Sequence, residues 1–202
     1  MSNKEEQSKR SYNKKASNYE NTLDGKFTNS FKEELINRVV LQENYKVLDV
    51  ACGTGALLNG LMRKCSIEAT GIDISDKMIE VARSKYSNIN FLVSSCVPLK
   101  FEDESFDVIT VSAAFHHFPC PMEFAKEAYR ILKSKSKIYI AEVSMPNILR
   151  QIFNVIAIPF INAGDVKIYS SKELRLIFDQ AGFHNICIEK KGKIQFLLGE
   201  KK

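Results

Sequence analysis

Apolar residues recur along this chain at two spacings, and the two alternate. Between residues 26 and 41, Phe27, Phe31, Leu35, Ile36, Val39 and Val40 fall on one helical stripe. Residues 45–50 read as a short buried strand. The loop Ala51-Cys-Gly-Thr-Gly55 follows, then a helical stretch over 56–64. Residues 67–72 predict a second strand. Ser75 caps the next helix, with Asp76 in its first turn and Met78, Ile79 and Ala82 on its inner face. Residues 89–93 and 106–111 predict the third and fourth strands. The fourth has the sparse polar alternation of a strand buried on both faces. Pro121 opens a helix that runs to 132, and 137–143 is the fifth strand. A helix capped by Ser170 or Ser171 ends at Ala181-Gly182, and strands 184–189 and 194–198 close the chain as a hairpin. Five alternations before a hairpin predict an α/β fold: a doubly wound, mostly parallel seven-stranded sheet with an antiparallel terminal hairpin. No repeat or linker divides it. Residues 1–202 read as one domain, with an N-terminal arm over 1–24 and an insertion over 144–169 at the carboxyl ends of the strands.

Composition narrows the class. The chain has 202 residues, 45% of them hydrophobic and 26% charged, which suits one globular domain and excludes a disordered chain. No apolar run reaches the length of a membrane span, and the polar first 15 residues lack the core of a secretory signal. Five cysteines, an odd number at wide spacing with no C-x-x-C, suit reduced thiols in a cytoplasmic setting. The net charge of +5 resides at the two chain ends, leaving the body neutral. Solvated ends explain that distribution better than a nucleic-acid face does.

The loop after the first strand carries the chemistry. Gly53 and Gly55 let the backbone turn tightly and let a ligand approach without a Cβ, and the following helix points free N–H groups at the same place. Asp73, at the end of the second strand, can accept hydrogen bonds from both hydroxyls of a ribose. The dinucleotide pattern G-x-G-x-x-G lacks its third glycine, since Leu58 stands there. Asp49 brings a second carboxylate to the loop, which would repel a diphosphate and attract a cation. S-adenosyl-L-methionine, an adenosine with a sulfonium and an ammonium, meets these demands. A nicotinamide-dependent oxidoreductase meets them less well.

These residues carry a resemblance. Val47-Leu-Asp-Val-Ala-Cys-Gly-Thr-Gly55 resembles motif I of class I SAM-dependent methyltransferases, and Gly71-Ile-Asp-Ile-Ser75 the ribose-binding strand end that follows. Leu99-Lys-Phe-Glu-Asp-Glu-Ser-Phe-Asp107, Phe115-His-His-Phe118, Tyr129-Arg-Ile-Leu-Lys133 and Ser171 through Phe183 are similar to later landmarks in the same order. Tyr12-Asn-Lys-Lys-Ala-Ser-Asn-Tyr19 resembles the arm of the ubiquinone/menaquinone-biosynthesis-like subgroup, the type 11 methyltransferases. The likeness spans residues 12–198 and implies a Rossmann-like fold. It implies that Asp49, Ala51, Gly53 and Gly55 hold the methionine end, and that Asp73 holds the ribose. Ile74 would lie on the adenine, with Ser95 and Cys96 near its amine, while Ser112 and Ala113 line the floor. Three positions depart from the pattern: Ala51 replaces a glycine, Ser95 an aspartate, and Ser134-Lys-Ser136 a Pro-Gly-Gly turn. Ser95 loses the charge assistance an aspartate would give the adenine amine.

Other residues admit two readings each. His117, and less so His116, would serve as a general base near neutral pH, or would shape the loop after the fourth strand. A cluster of His116, His117, Cys120 and Cys96 matches no zinc spacing, so no metal ligand is expected. Tyr12 and Tyr19, seven residues apart on one putative helix, would fold over the cofactor or belong to a frayed terminus. The apolar stretch from 147 to 161 reads as the lid of an acceptor pocket, a core helix or half of a homodimer contact. Ser112-Ala-Ala-Phe115 lacks the two prolines common where amide or adenine nitrogens are methylated. A small-molecule methyl acceptor leads, with no membrane span and no nucleic acid. Methylation of RNA or protein, and a nucleoside-binding module without turnover, stay as alternatives.

Overall fold

A computed structural model describes residues 2–160 and 164–202. The Ile161 end of the predicted apolar stretch lies outside the described residues. Seven strands form one sheet in the order β3-β2-β1-β4-β5-β7-β6. β1 (Lys46–Val50), β2 (Glu68–Asp73), β3 (Asn90–Val93), β4 (Phe106–Ser112) and β5 (Leu132–Val143) run parallel. β7 (Ile194–Glu200) runs antiparallel to both β5 and β6 (His184–Lys191). The doubly wound class and its terminal hairpin stand as read.

Alternation along the central strands builds a core on each face. Val47, Val108, Tyr139 and Ala141 pack against α2 (Leu23–Arg38), α3 (Ala56–Met62) and α4 (Asp76–Lys85). Leu48, Ile109, Val111 and Ile140 face α5 (Pro121–Ile131) and the later helix Ser171–Gln180. The strands feeding the site are thus fixed by burial on both sides.

Caps set the helix starts. Ser75 Oγ accepts from the Met78 amide at 3.1 Å. Ser170, rather than Ser171, caps its helix: its Oγ accepts from the Glu173 amide while Glu173 accepts from the Ser170 amide at 2.8 Å. The polar arm folds as α1 (Asn3–Lys15), opened by a Ser2/Glu5 capping box, and continues into a tight 3-10 turn, Ala16–Asn21. Tyr12 and Tyr19 therefore do not share one helix, but the turn still brings their ring centres to 6.0 Å.

Three local expectations change. The predicted helix over 26–41 begins earlier, because Thr22 Oγ1 accepts from the Gly25 amide at 3.0 Å, and it ends at Arg38. Val40 consequently leaves the buried stripe, and Phe27, though inside the helix, is also exposed. β5 starts at Leu132 because Leu132 pairs with Phe106 before a register shift. The apolar stretch is broken into α6 (Asn147–Ile152), a π turn Phe153–Ala157 and a 3-10 turn Ile158–Phe160. Ile148, Val155 and Phe160 are 74%, 74% and 82% exposed, so it is no core helix. The final helix, α7, is Ser171–Gln180. Among the described residues no helix is long and apolar enough to cross a membrane.

Candidate functional site

The strand order reverses direction beside β1, and a crevice opens there at the carboxyl ends of β1, β2 and β4. It holds two adjoining chambers. The first is lined by Ala51, Gly53, Asp73, Ile74, Cys96, Ser112 and Ala113 among others. The second is lined by Phe27, Phe153, Ile168, His116 and Asp165 among others. Tyr12, Tyr19, Ala113 and His117 border both.

Asp73 ties the loop to β2. One carboxylate oxygen accepts from the Gly53 amide at 2.9 Å and the other from the Ser75 amide at 2.8 Å. Each oxygen keeps a further lone-pair direction for a ligand hydroxyl. Burial pushes its pKa up from the ordinary carboxylate value, while the Ser75 and Gly53 amides pull against that. Gly53 has φ +54° and nothing within 4 Å of where a Cβ would be, so its side-chain space is open.

Three expected site residues stand back from the first chamber. Gly55 caps α3 at φ +80°, and a Cβ there would lie 2.5 Å from Phe91 Cζ. Its need for glycine is close packing rather than ligand approach. Ser95 turns to the arm, where its Oγ donates to Glu5 at 2.5 Å, and it is the neighbouring Cys96 that lines the chamber. Asp49 lies beneath the loop, 1% exposed, and accepts from Thr110 Oγ1 at 2.7 Å. Burial lifts its pKa to about 7; the nearby Asp73 adds to the rise, and Thr110 and Lys32 oppose it. A buried carboxylate so short of compensating charge suits a cationic ligand above it. Ser112 Oγ is buried with no hydrogen-bond partner among the described residues. An open glycine cradle, an orphaned hydroxyl and a two-oxygen acceptor at the β2 end fit a sulfonium nucleoside.

The arm supplies Glu5, Asn13 and Lys9, whose site role the sequence left unread, beside Tyr12, which it offered as a cover for the cofactor. Glu5 lines the first chamber and reaches Ser95, and Tyr12 OH lies 2.9 Å from His117 Nε2. Asn13 and Lys9 clamp α1 to Asp76 at 3.1 Å each. Their polar spacing marked a helix but gave no docking partner. His117 is pushed well below the ordinary histidine pKa, first by burial and then by His116. For His116, burial works downward, yet Glu142 and Asp165 outweigh it and hold the pKa above the ordinary value.

Residues 48–140 match the family model described as a methyltransferase domain. That match takes in a little under half of the chain, and over it the chain is similar to a methyltransferase domain. The chain is 36% identical over 121 residues to a demethylmenaquinone methyltransferase of Thermotoga maritima, covering 59% of this chain and 53% of that one. It is 35% identical over 125 residues to a ubiquinone/menaquinone biosynthesis C-methyltransferase of Geotalea daltonii, covering 58% and 53%. The match thus spans about half the length of these relatives. Solved structures share the fold. A SAM-dependent methyltransferase from Aquifex aeolicus aligns with a TM-score of 0.65 at 21% identity, over 85% of this chain and 89% of that one. A phosphoethanolamine N-methyltransferase from Haemonchus contortus, in complex with phosphomonomethylethanolamine and S-adenosylhomocysteine, aligns with a TM-score of 0.71 at 14% identity. That alignment covers 94% of this chain and 60% of the other.

Proposed function

We propose that the chain moves a methyl group from S-adenosylmethionine, seated in the first chamber, to a small, partly apolar acceptor in the second. The observation that carries this reading is the meeting of the two chambers at Tyr12, Tyr19, Ala113 and His117. An acceptor and the cofactor methyl would face each other there. The acceptor's electron pair forms the new bond to carbon, the carbon–sulfur bond breaks, and its pair stays on sulfur. Any acceptor proton leaves to a nearby group or to water. Such a displacement asks chiefly for alignment.

In this reading Ala51 and Gly53 receive the methionine end, and Asp49 supplies negative charge from below. Asp73 takes the ribose, Ile74 and Cys96 the adenine, and Ser112 the orphan hydroxyl's share of polar contact. Tyr19 and Tyr12 shut the boundary against water. His117, held neutral by burial, can accept a proton but is a weak base, so orienting Tyr12 is its larger task. The names of the relatives make quinone-related aromatic rings the first acceptors to test, and Phe27 and Phe153 line the second chamber.

Calorimetry decides the cofactor half. Asp73→Ala removes the acceptor for the ribose hydroxyls and one tie of the Gly53 loop. Affinity for S-adenosylmethionine should fall by about 1–3 kcal/mol, roughly 5- to 150-fold. An unchanged dissociation constant, or tighter binding of NAD than of S-adenosylmethionine by the native chain, would defeat the reading. Transfer of labelled methyl to fractionated metabolites decides the acceptor half. Label appearing only in RNA or protein would move the acceptor class, and binding without transfer would leave a module without turnover.

A further inference from the structure

We propose that His116 Nε2, His117 Nδ1 and Asp165 Oδ1 form a binding site for one divalent first-row transition-metal ion in the wall of the second chamber. The three donor atoms lie within 4.8 Å of one another. Asp165 Oδ1 is 3.5 Å from His116 Nε2 and 3.8 Å from His117 Nδ1. These separations are too long for direct hydrogen bonds and need only a small contraction to become the edges of a coordination shell.

The other ring nitrogens are already committed, which aims these atoms at the common point. His116 Nδ1 is 2.8 Å from Glu142 Oε1, and Glu142 is wholly buried at the end of β5. Glu142 also accepts from the His116 amide at 3.2 Å, so the carboxylate fixes both backbone and ring. With its Nδ1–H donating to Glu142, a neutral His116 presents the Nε2 lone pair to Asp165. Two lone pairs facing each other repel unless a cation or proton lies between them. His117 Nε2 is engaged by Tyr12 OH at 2.9 Å. Its Nδ1 is buried and meets no partner with full hydrogen-bond geometry among the described residues, although the Gly164 backbone lies close enough to oppose the fall in its pKa. Two imidazoles and a carboxylate suit zinc, iron or cobalt rather than calcium or magnesium.

The nearest lysine in the chamber wall, Lys15, is paired with Asp24 at 2.5 Å and so is spoken for. All three donors line the second chamber, so coordination positions left by the protein open onto it. Resting on the methyl-transfer reading, the ion would take an acceptor that binds through a hydroxyl or carbonyl oxygen, placed beside His117 at the boundary with the cofactor. Sequence spacing hides this site because Asp165 comes from the segment after the 3-10 turn Ile158–Phe160, far along the chain from the histidines.

The test uses the full chain, freed of any purification tag and stripped with chelator, titrated with cobalt(II) and separately with zinc(II). One saturable equivalent, visible d–d absorption from the cobalt complex and a higher melting temperature are expected. Asp165→Asn should weaken binding by at least about tenfold, and Glu142→Gln by about 10- to 100-fold through the His116 ring. Met145→Leu, in the same chamber outside the cluster, should leave metal affinity unchanged. Melting curves in chelator report whether each variant is folded. Absence of a saturable equivalent in the native chain overturns the proposal, and so does undiminished affinity in folded Asp165→Asn. Native protein that binds S-adenosylmethionine but no metal overturns this inference alone and leaves the methyl-transfer reading standing.

Discussion

Asp49→Asn should stabilise the ligand-free protein at pH 8, by up to about 4 kcal/mol, and should weaken its grip on S-adenosylmethionine. Burial raises the Asp49 pKa from 3.8 to about 7 in the fold. Each tenfold weakening of an acid corresponds to about 1.4 kcal/mol. Below about pH 4 the carboxyl is protonated in folded and unfolded chains alike, and its burial carries no charge penalty. Between about 4 and 7 the unfolded chain releases its proton while the folded one keeps it, so stability falls as pH rises through this window. Above about 7 the full cost is present. Asparagine keeps an oxygen to accept from Thr110 Oγ1 and removes the charge. The difference between native and variant melting curves should therefore be near zero at pH 4 and largest at pH 8. That difference also cancels titrating groups that do not interact with Asp49, among them His117. Native affinity for the cofactor should rise as pH passes 7 and Asp49 ionises. A pH-independent difference in stability would show that Asp49 is not a strained carboxylate.

Gly55→Ala should cost about 3 kcal/mol of stability, through two additive causes. A residue with a Cβ in the left-handed region costs roughly 1–2 kcal/mol, and Gly55 sits at φ +80°. The new methyl would also meet Phe91 at 2.5 Å, and Phe91 is buried. Forcing an extra carbon into a packed core costs about 1–3 kcal/mol. For a chain of this size the melting temperature should drop by roughly 6–12 °C. Gly53→Ala is the informative contrast. Its φ is +54° but its Cβ would meet nothing within 4 Å, so only the backbone cost of roughly 1–2 kcal/mol applies. Gly53→Ala should instead lose cofactor affinity, because that side chain would enter the first chamber. Equal melting temperatures for the two variants would show that Phe91 yields, and that packing does not explain the glycine at 55.

Why was so much of this legible in advance? Asp49, Gly53 and Asp73 sit in β1, its loop and β2, where a few consecutive residues fix a strand, a turn and the next strand end. Local periodicity and turn chemistry suffice for such features. The same holds for Ser75, Ser170 and Pro121, whose effects act within three residues. Ser95 and Cys96 show where this reasoning stops. Both lie in the same short loop, but Ser95 is held away from the chamber by a bond to Glu5, 90 residues earlier in the chain. Likewise, the length of the 147–161 stretch was readable, but its exposure was not, since exposure depends on what packs against it.

The chain by itself determined the sheet, its winding and the loop that fits a sulfonium nucleoside, because hydrophobic spacing, caps and glycine act between near neighbours. Only the tertiary structure decided that α1 would cover the cleft, that Tyr12 would meet His117, and that Asp165 would come beside both histidines. Those contacts join residues far apart in sequence, and their geometry depends on the two cores on either face of the sheet, which fix where each loop ends.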